Sequence, residues 1–435
     1  MSIELITLVM VGSLLLLLVI GMPMAFALGF VAVAAAFAFF GWNALQLITS
    51  RIYGFVTVYV LLSVPMFLLM AAIMDRSGVA RDLYDAMSVW AGGLPGGVGL
   101  MTLVAAVFMA ATTGIIGGEI ILLGLVALPQ MLRLGYDKNL AIGIICAGGS
   151  LGTMIPPSIV LIIYGLTVNV PIGELFTANI VPGLLLSGVY MVYIFVRCQI
   201  DPKLGPPAPE SEWRIPLRRK IAQLKGLALP MLVIATVLGT IYAGIASVTE
   251  AAGMGVVGTM IASAVRGELK WSHMRESIQQ TMRTCGMLLW LSFGATAMIG
   301  VYNLAGGPHF VKQVMTGMDI APVGIILVMM AILMVLGCIM DWVGICLLTM
   351  PIFVPIVREL GYSPIWFGVL FCLNMQVSYL SPPFGPAAFY LKGVAPPDIS
   401  LNQIFAALWP FILLQLTVLL VVLFFPQIAL WLPGL

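Results

Sequence analysis

The chain has 435 residues, of which 62% are hydrophobic and only 8% are charged, and its formal net charge is +2. A typical soluble protein carries about 25% charged residues, and no soluble core could bury so much apolar surface, so this composition excludes a soluble protein. Apolar stretches of about 20 residues recur along the whole chain, which indicates membrane-spanning helices rather than a barrel. We predict an all-α polytopic protein in contact with the lipid bilayer, with no nucleic-acid partner.

The predicted elements follow the same order in two halves of the chain. Each half has scaffold helices, a long apolar segment interrupted by glycines and polar residues, a helix broken at a double proline, and a closing helix. In the first half, 1–196, these are scaffold helices at about 1–75, an interrupted segment at 95–134 and a broken helix at 138–166. In the second half, 226–435, they are scaffold helices at about 226–304, an interrupted segment at 319–360 and a broken helix at 364–392.

Three polar stretches lie between the apolar segments. The linker 197–225 is rich in proline and holds seven Lys/Arg against three Asp/Glu, so the positive-inside rule places it in the cytoplasm. The stretches 74–90 and 271–286 are amphipathic, and we expect either interfacial helices or cytoplasmic connectors. In "ASVTEAAG" (246–253), we expect a helix N-cap followed by Glu250 in the first turn.

The positive charges indicate how the two interrupted segments run. If each segment enters the membrane and returns to the same side, 16 of the 19 Lys/Arg fall inside, and only Arg51, Lys312 and Arg358 fall outside. A simple crossing by either segment would break this sorting. We therefore predict two re-entrant hairpins that enter from opposite sides, with both termini in the periplasm.

A constant offset of 226 residues relates the two halves. Adding 226 to Pro129, Cys146 and Pro156 gives Pro355, Cys372 and Pro382, and the intervening sequence needs no gap. Because the two hairpins enter from opposite sides, the repeats have inverted topology. Inverted repeats with broken helices at corresponding positions are typical of secondary transporters.

The two breaks carry groups that could bind an ion. The first, "AGGSLGTMIPPS" (147–158), supplies Ser150 and Thr153, and the second, "LNMQVSYLSPPFGP" (373–386), supplies Asn374, Gln376 and Ser378. Carbonyls that a broken helix frees can coordinate Na⁺. The alternative is a pair of proline kinks packed by small residues, without a ligand.

Each hairpin tip carries one acidic residue. The first tip, "ATTGIIGGEII" (111–121), contains Glu119, and the second, "GCIMDWVGI" (337–345), contains Asp341. Carboxylates within apolar segments are costly and usually functional, so either could bind Na⁺, carry a proton or hold a substrate hydroxyl. The alternatives are a hydrogen bond from Glu119 to a neighbouring helix and capping of the next helix by Asp341.

At these residues the chain resembles the large membrane subunit of tripartite ATP-independent periplasmic (TRAP) transporters. The resemblance covers essentially the whole chain and is strongest in 128–165, in "IGELFTANIVPGLLL" (172–186), in "TEAAG" (249–253) and in 340–362. It implies an elevator, in which the hairpins and broken helices move against the scaffold helices. It also implies a smaller membrane subunit of about four helices, a periplasmic substrate-binding protein, a small organic acid as substrate, and uptake driven by Na⁺.

The resemblance also implies two or more Na⁺ sites at the tips and breaks. The matching positions are Thr112, Thr113, Gly114, Gly149, Gly152, Thr153 and Pro156 in the first repeat and Gly337, Asp341, Gln376, Ser378 and Pro382 in the second. For the substrate we expect contacts with Glu119, Asp341, Trp342, Ser150, Asn374 and Gln376. The tip "TTGIIGGE" and the break "LSPPFGP" depart from the serine-rich tip and the "LTPP" of many family members.

We therefore predict the permease subunit of a Na⁺-coupled, binding-protein-dependent importer of a small organic acid in the bacterial inner membrane. The alternative is a stand-alone secondary carrier of dicarboxylates. An enzyme is not expected, because the chain has no P-loop, its two histidines are far apart, and no nucleophile motif accompanies the acids.

Overall fold

A computed structural model of the chain describes residues 2–114, 116–224 and 228–434, and over these residues the regular secondary structure is entirely helical. This confirms the predicted fold class, an all-α polytopic membrane protein. Short 3-10 helices cover Tyr59–Leu62 and Leu151–Thr153. The α-helices are α1 (Ile3–Val19), α2 (Met24–Phe40), α3 (Ala44–Val56), α4 (Ser63–Arg76), α5 (Val79–Ser88), α6 (Gly97–Thr113), α7 (Gly118–Arg133), α8 (Lys138–Ser150), α9 (Ile159–Val168), α10 (Ile172–Ile200), α11 (Glu210–Trp213), α12 (Leu217–Leu224), α13 (Ala228–Tyr242), α14 (Val248–Val265), α15 (Trp271–Leu304), α16 (Gly307–Thr316), α17 (Pro322–Gly337), α18 (Trp342–Glu359), α19 (Pro364–Leu380), α20 (Pro386–Lys392), α21 (Leu401–Phe424) and α22 (Gln427–Leu430).

Six helical segments of the described chain are long and apolar enough to cross a membrane. They are Tyr59–Arg76, α10, α14, α15, α18 and α21. Shorter apolar helices, including α6, α9, α17 and α19, fall below the roughly 20 residues that a full span needs. Short apolar helices of this kind fit the arms of hairpins and the halves of broken helices.

The same succession of helices occurs in both halves of the chain. In the first half, the helix pair α6–α7 precedes the interrupted helix α8–α9 and the closing helix α10. In the second half, the pair α17–α18 precedes the interrupted helix α19–α20 and the closing helix α21. The peptide bonds Pro156–Pro157 and Pro382–Pro383, one in each interruption, are both cis.

The two interrupted helices lie side by side and run in opposite directions. Lys138 at the start of α8 pairs with Asp398, which follows α20, at 2.6 Å. In the middle, Gln376 Nε2 donates to Thr153 Oγ1 at 2.7 Å. At the far end, the hydroxyl of Tyr164 in α9 donates to the carbonyl of the first residue of α19 at 2.6 Å. The start of each interrupted helix therefore lies beside the end of the other, and the two breaks lie side by side. This antiparallel arrangement is the one that inverted repeats require.

The scaffold helices of the two repeats pack closely against one another. The helix α15 packs against α2, α3 and α4, and α14 packs against α4 and α13. The expected helix start near 247 is present as a capping box, in which Ser247 and Glu250 each bond the other's backbone N–H. The amphipathic stretch 271–286 is not a separate surface helix, because it continues without interruption into the span and forms α15, which is 34 residues long.

The linker packs onto the foot of the first hairpin. Gly96 N donates to Gly205 O at 2.7 Å, and Ala208 N donates to the carbonyl of Gly92 at 2.7 Å. Asp137 N, just before α8, donates to the carbonyl of residue 204 at 3.0 Å. The helix α10 extends into the predicted linker as far as Ile200. The predicted boundary between the linker and the second repeat, 225–227, lies outside the described residues.

Candidate functional site

The first break is an irregular segment whose freed carbonyls are bonded by side chains. The helix α8 ends at Ser150, a 3-10 turn follows, and α9 begins at residue 159. Prolines have no backbone donor, so the double proline prevents normal helical hydrogen bonds here. In their place, Ser158 Oγ donates to Thr153 O at 2.6 Å, and Asn179 Nδ2, on α10, donates to Met154 O at 2.8 Å. The break is therefore held in one conformation by two buried side chains.

The second break is shorter and keeps more of its helical hydrogen bonds. The helix α19 continues to Leu380, and α20 begins at Pro386. The hydroxyls of Ser378 and Ser381 donate to carbonyls four residues earlier, at 3.2 and 2.8 Å. Asn374 Nδ2 donates across to the backbone oxygen of α17, at Met330, with a distance of 2.8 Å. Side chains therefore bond backbone carbonyls at both breaks.

The tip of the first hairpin rests on the first break. The helix α6 ends at Thr113, and the next residue, Gly114, has a φ of 65°, a left-handed conformation that favours glycine. Ile159 N at the start of α9 donates to Gly114 O at 3.2 Å. Behind the tip, the hydroxyl of Thr113 donates to the carboxylate of Glu119, which is completely buried. Ile115, in the middle of this tip, lies outside the described residues.

The tip of the second hairpin rests on the second break. Gly337, the last residue of α17, lies so close to Ser378 that an added Cβ would overlap with the Ser378 hydroxyl oxygen. Asp341 is the N-cap of α18, and its Oδ1 accepts from Val343 N at 3.0 Å. Trp342 is buried at the first position of that helix. In each repeat, therefore, the hairpin tip and the break of the same repeat are in contact.

Several buried oxygens around the two breaks have no hydrogen-bond partner within the described part of the chain. They are Oδ1 of Asn179, Oδ1 of Asn374, Oε1 of Gln376 and the hydroxyl of Tyr379. An unsatisfied buried acceptor is destabilising by about 1–3 kcal/mol, so such groups are rare unless a ligand completes them. Three of the four are amide carbonyl oxygens, which suit a hard cation such as Na⁺.

A family model described as "Tripartite ATP-independent periplasmic transporter, DctM component" matches residues 11–428. The chain belongs to the DctM family. The C4-dicarboxylate TRAP transporter large permease protein DctM of Pseudomonas aeruginosa is 31% identical over 377 residues, which are 86% of each chain.

Other members of the DctM family and one solved structure match over most of the chain. The 2,3-diketo-L-gulonate TRAP transporter large permease protein YiaN of Escherichia coli is 25% identical over 97% of each chain. The isethionate TRAP transporter permease protein DctMQ of Oleidesulfovibrio alaskensis is 29% identical over 98% of this chain and 66% of its own. The crystal structure of the Alcanivorax borkumensis YdaH transporter, at 16% identity, covers 96% of this chain and 98% of that one with a TM-score of 0.65, which shows a shared fold.

The residues that the DctM resemblance nominates for Na⁺ all lie in the tips and breaks. Thr112 and Thr113 are buried near the first tip, and Thr112 Oγ1 donates within its own helix to the carbonyl of residue 109 at 2.6 Å. Gly149 packs against the backbone of Ile120. Gly152 and Thr153 form the 3-10 turn, while Pro156 and Pro382 lie in the irregular segments.

The residues predicted to contact the substrate differ in their locations and in their hydrogen bonds. Asn374 and Gln376 are buried beside the meeting point of the breaks. Ser150 donates its hydroxyl to Ala147 O at 2.8 Å, within its own helix. Glu119 accepts a hydrogen bond from Thr113 on the neighbouring helix α6. Asp341 caps its own helix, α18. Each acid therefore makes the contact that was given above as the alternative to a functional role. The described residues show no hydrogen bond between these two acids.

Sequence reasoning missed two polar residues at the breaks and one beside them. Asn179 and Tyr379 are buried next to the breaks, and both lie in mainly apolar helices, where polar residues are expensive and often functional. That signal was available in the sequence. Asp75 lies against Gly118 at the first tip, although 43 residues separate them along the chain. No local pattern could have indicated that contact.

Proposed function

We propose that this chain is the permease subunit of a Na⁺-coupled, binding-protein-dependent secondary transporter that imports a small organic acid. Membership of the DctM family supports the binding-protein-dependent secondary transporter. The observation that carries the Na⁺ coupling is the meeting of the two breaks, where Gln376 contacts Thr153 and unsatisfied buried oxygens surround the contact. A cation would satisfy these oxygens, and an anionic substrate beside it would balance the charge.

The chemistry of the site divides between ion and substrate. Carbonyls freed at the breaks and the amide oxygens of Asn374 and Gln376 would coordinate Na⁺, as unwound helices do in other secondary transporters. We propose that the substrate lies against the same surface and contacts Glu119, Asp341, Trp342, Ser150, Asn374 and Gln376. No residue set for covalent catalysis accompanies this site, and the relatives are transporter permeases, so a transport role without catalysis is proposed.

We propose that the hairpins and broken helices move together as an elevator against the scaffold helices. Two kinds of contact support one moving body. Each hairpin tip contacts the break of its own repeat, at Gly114 and at Gly337, and Gln376 of the second repeat contacts Thr153 of the first. The proposed scaffold comprises α1–α4 and α13–α15. Exposed aromatic side chains on it, among them Phe30, Trp42 and Trp290, need lipid or a partner subunit.

Partners and orientation follow from the same proposal. TRAP large permeases work with a small membrane subunit and a periplasmic binding protein, and the unmatched third of the DctMQ relative leaves room for such a subunit in one chain. The apolar helices and the family place this chain in the bacterial inner membrane as a multi-pass protein. We propose that both termini face the periplasm. The relatives' names span C4-dicarboxylates, isethionate and 2,3-diketo-L-gulonate, so they do not assign one acid.

Uptake into proteoliposomes tests the proposal. Liposomes with this chain and its small subunit should accumulate the acid only when the loaded binding protein and an inward Na⁺ gradient are both supplied. Matched liposomes with an inward K⁺ gradient are the control. Full-rate uptake by this chain alone would support the stand-alone dicarboxylate carrier instead, and uptake that ignores Na⁺ would refute the coupling.

A further inference from the structure

A small polar cavity separates the first hairpin tip from two scaffold helices. Its volume is about 30 Å³, and a cavity needs only about 10–15 Å³ to hold one water molecule, so it can hold one water-sized ion. The helices α4, α6, α7 and α15 surround it. Its polar lining residues are Asp75, Thr113, Gln280, Thr281 and Thr284.

One carboxylate lines this cavity, and a second belongs to a residue next to the lining. Asp75 of α4 lines it directly, and a Cβ added to Gly118 would lie 3.3 Å from Asp75 Oδ2. Glu119, the next residue after Gly118, is completely buried and bonds through Oε1 to Thr113, which also lines the cavity. Its second oxygen, Oε2, is buried without a hydrogen-bond partner in the described chain.

The positive charge nearby does not balance these acids. Arg76 follows Asp75 along α4, but its guanidinium extends to α15, where it lies 3.5 Å from Glu276 and donates to Gln280 at 3.0 Å. The group therefore has three carboxylates against one guanidinium. Placing like charges together in a poorly hydrated site is unfavourable unless a cation or a strong donor compensates them.

The remaining lining groups suit a cation rather than an anion. Thr281 donates its hydroxyl to Ser277 O at 2.9 Å, which leaves the lone pairs of the hydroxyl oxygen available. Thr284 adds a second hydroxyl oxygen to the lining. Hard monovalent and divalent cations prefer oxygen ligands of these kinds. A volume of about 30 Å³ excludes an organic cation.

We propose that one Na⁺ binds in this cavity between Asp75 and Glu119, with the hydroxyls of Thr281 and Thr284 completing its coordination. This site differs from the one at the tips and breaks, because Asp75 and both threonines belong to scaffold helices. It exists only while the first hairpin tip lies against α4 and α15, so the ion stabilises that arrangement. The choice of Na⁺ rests on the proposed function; the presence of a cation rests on the charges and oxygens alone.

Equilibrium binding of ²²Na⁺ to the full-length chain in detergent tests this site. The variants are Asp75→Asn and Gly118→Ala, with Asp319→Asn, an exposed carboxylate in the loop before α17, as the matched control. We expect Asp75→Asn to bind one Na⁺ fewer per chain, or to bind that ion at least about tenfold more weakly, as loss of a ligand shell group does. Gly118→Ala places a methyl group against the Asp75 carboxylate and should weaken the same ion. Alanine is favoured in a helix, so this variant should fold even if Asp75→Asn does not.

The outcomes separate this site from the proposed function. If the wild type binds Na⁺ and both variants bind the same number with the same affinity, the cavity holds only water and the inference is wrong. If the wild type binds no Na⁺ at any site, the proposed coupling fails as well. If the cavity binds a proton instead of Na⁺, wild type and Asp75→Asn should bind the same amount of ²²Na⁺. Competition with Li⁺ and K⁺ and a repeat of the measurement at lower pH make the same distinction. Loss of ²²Na⁺ in Asp319→Asn to the same extent would also overturn the assignment.

Discussion

Replacement of Gln376 by leucine should separate folding from Na⁺ binding. Gln376 is completely buried, donates to Thr153 Oγ1 at 2.7 Å and has no partner for Oε1 in the described chain. The substitution loses one hydrogen bond, with a net contribution of about 0.5–1.5 kcal/mol, but it also removes an unsatisfied acceptor that is destabilising by about 1–3 kcal/mol. These effects oppose each other, so without Na⁺ the free energy of unfolding should fall by no more than about 0.5 kcal/mol and rise by at most about 2.5 kcal/mol.

The same substitution should weaken the stabilisation that Na⁺ provides. An ion at 100 times its dissociation constant stabilises the folded chain by about 2.7 kcal/mol, and a tenfold weaker site gives only about 1.4 kcal/mol at the same concentration. Thermal unfolding in detergent, with NaCl replacing choline chloride at constant ionic strength, measures this difference. We expect Gln376→Leu to require about ten times more Na⁺ for the same increase in melting temperature.

A matched control makes this result specific. Gln415, on α21, is also a completely buried glutamine, so Gln415→Leu repeats the chemical change on a helix that carries neither break. It should leave the Na⁺ dependence of melting unchanged. An unchanged Na⁺ dependence in Gln376→Leu would refute the assignment of Oε1 as a ligand, and so would an equal change in both variants.

Two further predictions concern the acids and the packing of the first break. Glu119→Gln and Asp341→Asn should each lower the initial rate of uptake at least about tenfold. Both variants should still insert into the membrane normally, because the amide oxygen of the introduced glutamine can accept from Thr113 and asparagine caps helices as well as aspartate does. Normal uptake by both variants would show that the site assignment is wrong. Gly149→Ala should lower the free energy of unfolding by about 1–3 kcal/mol, because the added Cβ would lie 3.0 Å from the backbone nitrogen of Ile120. Chemical denaturation measures this loss. The control Gly286→Ala should show no such loss, because no atom lies within 4 Å of its added Cβ.

Much of the fold was readable because it depends on local and repeated signals. The 226-residue offset and the double prolines placed two interrupted helices, and the structure has α8–α9 and α19–α20 at those positions. The start of α14 was also predictable, since the Ser247–Glu250 capping box is encoded within four residues. These features need only the chain's own sequence pattern and the backbone chemistry of proline, serine and glutamate.

The misjudged elements depended on weak local signals. The stretch 271–286 is amphipathic, but the only glycine between it and the following span is Gly286. One glycine in a helix is unfavourable by only about 1 kcal/mol and does not end it, so α15 runs through unbroken. The extension of α10 to Ile200 has a similar origin, because no glycine or proline lies between Gly188 and Pro202.

The candidate site was predictable in its parts but not in its assembly. The breaks and tips were visible as unusual polar and glycine residues within apolar segments. That Gln376 of one repeat reaches Thr153 of the other depends on how two antiparallel helices pack, and no local pattern shows it. The approach of Asp75 to the tip that contains Glu119 is a contact of the same long-range kind.

The most direct test of the central claim is the movement of ²²Na⁺ itself during transport. Proteoliposomes that contain this chain and its small subunit would receive ²²Na⁺ outside, with the binding protein either empty or loaded with its acid. We predict ²²Na⁺ influx that begins only with the loaded binding protein and is reduced in Gln376→Leu. Entry of the acid at full rate without accompanying ²²Na⁺ would contradict the account.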